Sequence, residues 1–206
     1  MNIRGFIYIV IIILFMVFVK EDGFINDNLI LVNKENGLPS DYVPDDLELL
    51  SLKYANENKY LRKEAKYYYE KLSNDALLLG YKIIVVSAYR DYNYQYELHN
   101  EYVKNKGIEY ALLCSARPGY SEHQTGLAID VMGSNNDYDL FEDSIEFAWM
   151  RDNAHKYGFI LRYPKDKVAI TGYKYEPWHY RYVGIKAASE IYNNNLTLEE
   201  YIKKQT

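Results

Sequence analysis

Two residues of types that commonly bind metals lie seven positions apart in the segment SEHQTGLAID, residues 121–130. His123 follows a loop rich in Gly, Pro and Ser, and Asp130 ends the apolar run LAID, so both side chains can reach one cavity at a strand edge. A histidine and an aspartate at this spacing are, by themselves, more often a hydrogen-bonded pair than two metal ligands. A hydrolytic metal site requires a third ligand and a base elsewhere in the chain.

A second cluster, YEPWHYRYV at residues 175–183, supplies both missing groups. Two histidine nitrogens and one aspartate oxygen form a zinc site that leaves one position for water, so His179 is the candidate third ligand. Glu176 is the candidate general base outside the ligand set. Positions three apart on a regular strand face opposite sides, so Pro177 must lie at a bend if Glu176 and His179 converge. An exposed glutamate and a packed histidine are the alternative.

A cation follows the apolar run IIVVS in the segment SAYRDYNYQ, residues 87–95. The guanidinium of Arg90 offers a planar fork of donors, which suits a substrate carboxylate or a developing oxyanion. On the local sequence alone, an ordinary surface salt bridge is the more common role for such an arginine.

The apolar periodicity predicts that these groups lie on a small mixed fold. Helices are predicted at residues 59–79, 92–106, 144–157 and 185–192, and a capping box formed by Thr197 and Glu200 predicts a short final helix. Strands are predicted at residues 81–87, 127–132, 159–163 and 179–184. Helices and strands that mix without regular alternation indicate an α+β fold with a small, largely antiparallel sheet.

The first 20 residues differ from everything that follows. Arg4, the apolar stretch 5–19 and Lys20 form the charged-apolar-charged layout of an exported or membrane-inserted segment. No small-residue cleavage site follows, which favours an uncleaved anchor at residues 1–20 over a cleaved signal. Residues 21–28 then form a polar linker, and residues 29–206 form one domain outside the cytoplasm.

Composition excludes some function classes. A net charge of −5 without a clustered basic surface argues against a nucleic-acid binder. The single cysteine, Cys114, lies in an apolar approach to a loop, where a small buried residue is commoner than a nucleophile. His99 lies within a predicted helix and His155 near a helix C-terminus, where the helix dipole favours histidine, so neither is assigned to the site.

Taken together, these segments resemble the zinc-dependent D-alanyl-D-alanine carboxypeptidases of the vancomycin-resistance type and the related LD-carboxypeptidases. The motifs occur in the family's order over nearly the whole domain. They are LVNKENGLPSDYVPDDL, SAYRDYNYQ, ARPGYSEHQTGLAIDV, NAHKYGFILRYP and ITGYKYEPWHYRYVG. One departure is Ala88, where glycine is common in the family.

The resemblance implies the zinc peptidase fold shared by hedgehog proteins and DD-peptidases, with one zinc ion per chain. It implies His123, Asp130 and His179 as ligands, Glu176 as base, and Arg90 as the group that stabilises charge at the scissile carbonyl or binds the peptide. Four further residues match positions that line the family's substrate pocket: Gln95, Ser121, Tyr163 and Trp178. The implied substrate is the stem peptide of peptidoglycan, and the expected oligomeric state is a monomer.

The sequence is compatible with two other classes of function. The same chemistry serves an LD-carboxypeptidase acting on tetrapeptides or a peptidoglycan endopeptidase. A non-catalytic zinc module that binds wall peptide is the other alternative. Glu176 and Arg90 favour an enzyme, since neither is needed to hold the metal.

The N-terminal layout predicts a specific cellular location. We expect the full-length protein to sediment with membranes, and to be digested by protease added to cells stripped of their wall, because residues 5–19 would anchor an external domain. Immunoblotting of fractions from protease-treated and untreated cells checks this. Intact protein in the cytosol would contradict the prediction, and recovery from the medium would indicate cleavage.

Overall fold

The computed structural model describes residues 27–135 and 137–205. The predicted anchor and residues 21–26 of the predicted linker lie outside the described residues. Within the described ranges, no helix is both long enough and apolar enough to cross a membrane. The last linker residue, Asn28, already contacts the fold, because its backbone carbonyl accepts a hydrogen bond from Arg181.

The described residues form short strands and helices that alternate irregularly along the chain. The strands are β1 (Leu47–Leu49), β2 (Tyr60–Arg62), β3 (Ile84–Ser87), β4 (Ala128–Met132), β5 (Phe159–Leu161) and β6 (His179–Tyr182). The helices are α1 (Lys63–Leu78), α2 (Tyr92–Lys106), α3 (Ile108–Cys114), α4 (Tyr138–Phe141), α5 (Ile145–Asn153), α6 (Val168–Thr171), α7 (Ile185–Asn193) and α8 (Leu198–Gln205). Short 3-10 helices occur at Asp27–Leu29, Glu122–Thr125, Ala154–Tyr157 and Lys165–Lys167.

The main sheet has the strand order β3-β4-β6-β5, and every neighbouring pair in it is antiparallel. Strands β1 and β2 form a separate antiparallel pair. The predicted α+β class with a small antiparallel sheet is therefore confirmed. In the register of the two central strands, Asp130 of β4 lies opposite His179 of β6.

The two faces of the main sheet have different chemistry because side chains alternate along each strand. Ile129 and Val131 of β4, with Tyr180 and Tyr182 of β6, join the apolar core that packs against α1. The intervening residues of these strands point to the opposite face, where polar and charged groups are buried. A second, smaller apolar cluster is formed mainly by α7 and α8. Its buried members are Ile160, Val183, Ala187, Ala188, Ile191, Leu198 and Tyr201.

Capping residues and glycines in the sequence predict the bounds of several helices correctly. Helix α2 has the predicted bounds because Asp91 caps its start, accepting a hydrogen bond from Tyr94 N at 2.7 Å, and Gly107 ends it. The capping box is confirmed: Glu200 N donates to Thr197 Oγ1 at 3.2 Å, and Thr197 N donates to Glu200 Oε2 at 2.8 Å. The predicted helix at 144–157 is α5 followed by a 3-10 turn.

Three local predictions were wrong. The helix expected from residue 59 begins at Lys63, because residues 60–62 pair with β1, a partner that helical periodicity does not reveal. The sequence analysis predicts no helix between residues 107 and 115, but residues 108–114 form α3, whose Ala111 is buried. Cys114, expected to be a small buried residue, is partly exposed at the end of this helix.

The turn into β5 yields a stability prediction. Gly158 has φ of 84°, and a Cβ there would lie 2.5 Å from Cε2 of Tyr182. Gly80 has a similar φ of 89°, but a Cβ there would meet nothing within 4 Å. Gly80→Ala should therefore lower the free energy of unfolding by about 1 kcal/mol through backbone strain alone.

Gly158→Ala should lower the free energy of unfolding by roughly 1–3 kcal/mol more than Gly80→Ala does, since overpacking adds to the strain. Urea unfolding of the two variants measures the difference. Equal losses would show that Tyr182 moves aside freely.

Candidate metal centre

Three predicted ligands meet in one buried cluster. His123, Asp130 and His179 each offer a ligand atom, and these atoms all lie within 4.8 Å of one another. His123 comes from the 3-10 helix Glu122–Thr125, Asp130 from the middle of β4, and His179 from the first position of β6. The antiparallel register brings Asp130 beside His179, and the 3-10 helix delivers His123 from the loop before β4.

The ring of His123 is held by a backbone carbonyl. Its Nδ1 lies 2.6 Å from the carbonyl oxygen of Ala88, and since that oxygen can only accept, Nδ1 carries the proton. Its Nε2 then faces Oδ2 of Asp130 at 3.3 Å with a free lone pair. Burial and the nearby charge of Arg90 lower the pKa of His123 to about 4, so the ring is neutral at neutral pH.

The ring of His179 has the opposite orientation. Its Nδ1 lies 3.0 Å from Oδ1 of Asp130, and its Nε2 lies 3.4 Å from Oε2 of Glu122. Burial lowers the pKa of this ring, but hydrogen bonds to Asp130 and Glu122 outweigh it and raise the pKa to about 9. A divalent cation competes with the proton for such a nitrogen, which is how metal binding releases protons.

The donor set fits zinc. Two imidazole nitrogens and a carboxylate oxygen converge, and the second nitrogen of each ring faces an oxygen acceptor, as is usual around zinc-binding histidines. Burial opposes ionisation of Asp130, but His123 and His179 hold its pKa well below the ordinary value. The carboxylate is therefore ionised and available as a ligand.

The predicted bend at Pro177 is present. His179 N donates to the carbonyl of Glu176 at 3.1 Å, which closes a turn immediately before β6. The turn places Oε2 of Glu176 3.7 Å from Nδ1 of His179, beside the cluster. Burial raises the pKa of Glu176 to about 7 against the opposing effect of His179. A carboxyl group with this pKa can accept and return a proton near neutral pH.

Arg90 is positioned by its own neighbours. Its Nη1 donates to Ser87 Oγ at 2.8 Å, and its Nε donates to Oε1 of Gln95 at 3.1 Å. The amide of Gln95 donates in turn to Ser115 Oγ and to the carbonyl of Ala116. Gln95, expected in the pocket wall, is 1% exposed and lies behind Arg90, whereas Arg90 itself lines the cavity.

A cavity of about 890 Å³ opens over the cluster. Ser121, Tyr163 and Trp178, which were predicted to line a substrate pocket, all line this cavity. Tyrosine dominates the rest of the wall. The tyrosines lining the cavity are Tyr60, Tyr89, Tyr94, Tyr102, Tyr110, Tyr138, Tyr163, Tyr173 and Tyr175.

The sequence analysis missed two kinds of site residue. Tyr138 packs edge-on against Trp178, with ring centroids 5.0 Å apart, and nothing in its local sequence indicates this contact. Glu122 precedes a ligand and is only 2% exposed, but its neighbours in the sequence do not reveal its partners.

The residues left out of the site have other settings. His99 is buried in α2, and His155 stacks on Tyr192 with ring centroids 3.8 Å apart. Cys114 is partly exposed at the end of α3 and contributes to the cavity wall.

Comparison with known proteins places this site in a family. The family model described as D-alanyl-D-alanine carboxypeptidase matches residues 58–185, which include every predicted ligand, the base and Arg90. The chain belongs to the D-alanyl-D-alanine carboxypeptidase family. The resemblance inferred from the motifs is thereby confirmed, and so is the assignment to an enzyme family.

Relatives of this carboxypeptidase align over most of their length. The Bacillus subtilis protein YodJ is 46% identical over 183 residues, covering 85% of this chain and 67% of that protein. The LD-carboxypeptidase LdcB superposes with a TM-score of 0.80 and 44% identity over 87% of each chain.

Vancomycin-resistance D,D-pentapeptidase VanY, whose mutant was solved with Zn(II), superposes with a TM-score of 0.74 and 39% identity. That alignment covers 85% of this chain and 99% of VanY. VanYB in complex with D-alanine-D-alanine gives a TM-score of 0.75. These similarities confirm the predicted fold, while the roles of individual side chains remain predictions.

The buried carboxyl of Glu176 predicts a pH-dependent effect on stability. Its pKa is raised from the ordinary 4.5 to about 7, so between these values the folded metal-free carboxypeptidase keeps a proton that the unfolded chain has lost. Folding stability therefore falls as the pH rises through this window. Glu176→Gln removes the effect and should stabilise the metal-free protein at pH 8 by on the order of 2 kcal/mol.

Urea unfolding after metal removal, at pH 8 and at pH 4, measures this difference. The gain should vanish at pH 4, where the carboxyl is protonated in both states. Glu97→Gln, at an exposed position of α2, is the matched control and should change little at either pH. An equal gain at both pH values would show that ionisation of Glu176 is not the cause.

Proposed function

We propose that this chain is a zinc-dependent D-alanyl-D-alanine carboxypeptidase that removes the C-terminal D-alanine from peptidoglycan stem peptides. The observation that carries the proposal is the meeting of His123, Asp130 and His179 beside Glu176, at the floor of a large cavity. A metal-binding cluster alone also suits a binding module. The adjoining base and the cationic fork of Arg90 are the parts that only an enzyme requires.

His123 would hold the zinc ion through Nε2, His179 through Nδ1, and Asp130 through its carboxylate. When bound there, zinc supplies a Lewis acid that polarises a carbonyl and lowers the pKa of water. The sheet register and the 3-10 helix hold these donors close together.

Glu176 acts as the proton carrier. It accepts a proton from the water that attacks the scissile carbonyl, and it delivers a proton to the leaving amine, so no proton is gained or lost overall. Its pKa of about 7, raised by burial, suits both transfers at neutral pH. The turn at Pro177 keeps the carboxyl beside the reacting atoms rather than on the strand's far side.

Arg90 binds the negatively charged part of the substrate. Ser87 and Gln95 hold two of its donor nitrogens, and the guanidinium lines the cavity close to Asp130, with Nη1 3.6 Å from Oδ2. Its remaining donors suit the terminal carboxylate of a peptide or the oxyanion that develops during attack. Gln95 contributes by orienting Arg90.

The cavity wall suits a peptide attached to a larger polymer. Trp178, Tyr163 and Ser121 lie near the metal cluster, and the remaining tyrosines extend the wall with rings and hydroxyl groups. The solved complex of VanYB with D-alanine-D-alanine supports a D,D substrate for this chain. The similarity to LdcB, at a TM-score of 0.80, favours an LD-carboxypeptidase as the second candidate.

The proposed substrate also suits the location predicted from the N-terminal residues. We propose that residues 1–20 anchor the protein and that the catalytic domain works outside the membrane as a monomer. The support is the layout of Arg4 and the apolar stretch 5–19, together with a substrate that lies in the cell wall.

The substrate assignment is tested with defined peptides. The purified zinc-loaded protein is incubated separately with pentapeptide and tetrapeptide stems, and products are identified by mass spectrometry. We expect loss of one alanine from the pentapeptide. Trimming of the tetrapeptide alone would replace the D,D assignment with an L,D one, and cleavage of neither would contradict both.

Glu176→Gln distinguishes an enzyme from a binding module. Glu176 is not a ligand in this proposal, so zinc content should stay near the parent's, while hydrolysis should fall by about a hundredfold or more, the usual scale for a proton-transfer group. Zinc content is measured on the same samples as D-alanine release. Lost zinc would make Glu176 a ligand, and full activity would refute its role as base.

A further inference from the structure

The structure assigns a positioning role to Glu122: we infer that it selects Nδ1 as the metal-binding nitrogen of His179 by holding the proton on Nε2. This inference rests on the proposed zinc site and adds a residue that the proposed mechanism does not use. Glu122 lines the cavity but is not one of the predicted metal ligands. Its contact with the ligand set is through Nε2 of His179, so its effect would pass through that ring.

The carboxylate of Glu122 is held on one side by two buried arginines. Its Oε1 accepts from Nε of Arg162 at 2.7 Å and from Nη1 of Arg181 at 2.8 Å. The side chains of all three residues are fully buried. These bonds occupy Oε1 and leave Oε2 facing Nε2 of His179 at 3.4 Å.

The arginines are themselves anchored. Arg162 donates from Nη1 and Nη2 to the carboxylate of Glu199 in α8, at 2.9 and 2.6 Å. Arg181 donates to the backbone carbonyls of Asn28 and Ile30. Two carboxylates and two guanidiniums balance in charge, so Glu122 is kept ionised. The arginines that hold it are themselves fixed by α8 and by the N-terminal end of the domain.

An ionised carboxylate can only accept a hydrogen bond. Facing Oε2, Nε2 of His179 carries a proton. Nδ1 also faces an ionised carboxylate, with Oδ1 of Asp130 at 3.0 Å, so in the metal-free protein it carries a proton too. A metal ion held by Asp130 would take the place of the proton on Nδ1, while the proton on Nε2 would stay with Glu122. Nδ1 is the nitrogen that faces Asp130 and Glu176. The carbonyl of Ala88 does the reverse for His123, holding the proton on Nδ1 and freeing Nε2. With metal bound, the two rings are thus set in opposite tautomers by two separate acceptors.

The size of the effect follows from comparable sites. Loss of the partner that orients a metal-bound histidine typically weakens metal binding by about 10- to 100-fold. In Glu122→Gln, the carbonyl oxygen can stay with the arginines, and the amide NH2 then faces Nε2 of His179. Two donors would oppose each other, which disfavours the tautomer that binds zinc. We therefore expect a loss of zinc affinity at the upper end of this range.

The control is Glu199→Gln. Glu199 is a second carboxylate partner of Arg162, so this substitution also removes a negative charge beside that arginine. The hydrogen bonds of Glu199 do not include His179. Zinc dissociation constants are measured for the full chain by chelator competition at one pH, and the metal-free proteins are compared by urea unfolding. Zinc affinity should fall in Glu122→Gln and stay within about threefold of the parent in Glu199→Gln. Equal losses in both variants would reduce Glu122 to a structural role.

A second readout requires no substitution. The chain has four histidines, so long-range proton–nitrogen spectra of the zinc-loaded parent, labelled with nitrogen-15 in histidine, report which nitrogen of each ring carries a proton. The expected result is a proton on Nε2 of His179 and on Nδ1 of His123. A proton on Nδ1 of His179 would overturn the inference, whether or not any variant folds.

The two proposals fail in different ways. A parent protein that binds no zinc would contradict the proposed function itself. A parent that binds zinc, with unchanged affinity in Glu122→Gln, would contradict only the role of Glu122. If Glu122→Gln does not fold, Glu122→Asp keeps the charge that the arginines require while withdrawing the carboxylate from His179, and the same loss of zinc affinity is expected.

Discussion

The pairing of β4 with β6 is the constraint on which the rest of the site depends. It sets Asp130 directly opposite His179, and a shift of one residue would turn one of these side chains to the other face of the sheet. The apolar residues that alternate with them, Ile129 and Tyr180, hold the register because they are buried against α1. The hydrophobic core on one face thereby determines the geometry of the metal centre on the other.

Three carboxyl groups share the buried site, and their surroundings give them different tasks. Burial opposes ionisation of all three. The charges of Arg162 and Arg181 outweigh the effect of burial on Glu122 and lower its pKa. His123 and His179 outweigh it on Asp130 in the same way. Glu176 lacks an equally close cation, and its pKa rises to about 7. One carboxylate can therefore orient, one can bind metal, and one can exchange protons.

The site has two parts: a floor formed by the metal cluster, Glu176 and Arg90, and the surrounding cavity wall. This division suggests how one fold can serve peptidases with different substrates. In the proposed mechanism, the metal ligands, the base and Arg90 act on the scissile carbonyl and on the terminal carboxylate, which D,D and L,D substrates share. These substrates differ in the configuration of the residue before the scissile bond. Contacts from the surrounding wall must therefore distinguish a D from an L residue at that position. In this chain that wall is rich in tyrosine and includes the packed pair of Tyr138 and Trp178. Similarity to both VanY and LdcB agrees with a shared floor.

Much of the site could be predicted from the sequence, since its chemistry is carried by residue type and short spacing. The three ligand candidates, the neighbouring Glu176 and the bend at Pro177 were all readable there, as were the capped bounds of α2. These features depend on contacts between residues close in the chain, or on motifs whose combination is specific.

Only the tertiary structure decided which residues, distant in the sequence, contact the site residues and hold them in position. Residues 60–62 became a strand because β1 was available as a partner, and Gln95 lies behind Arg90 rather than in the wall. Glu122 reaches Arg162, Arg181 and His179 across 40, 59 and 57 positions of sequence. No local pattern encodes such contacts, because the pairing of buried charges is determined by where the folded sheet and helices bring their side chains together.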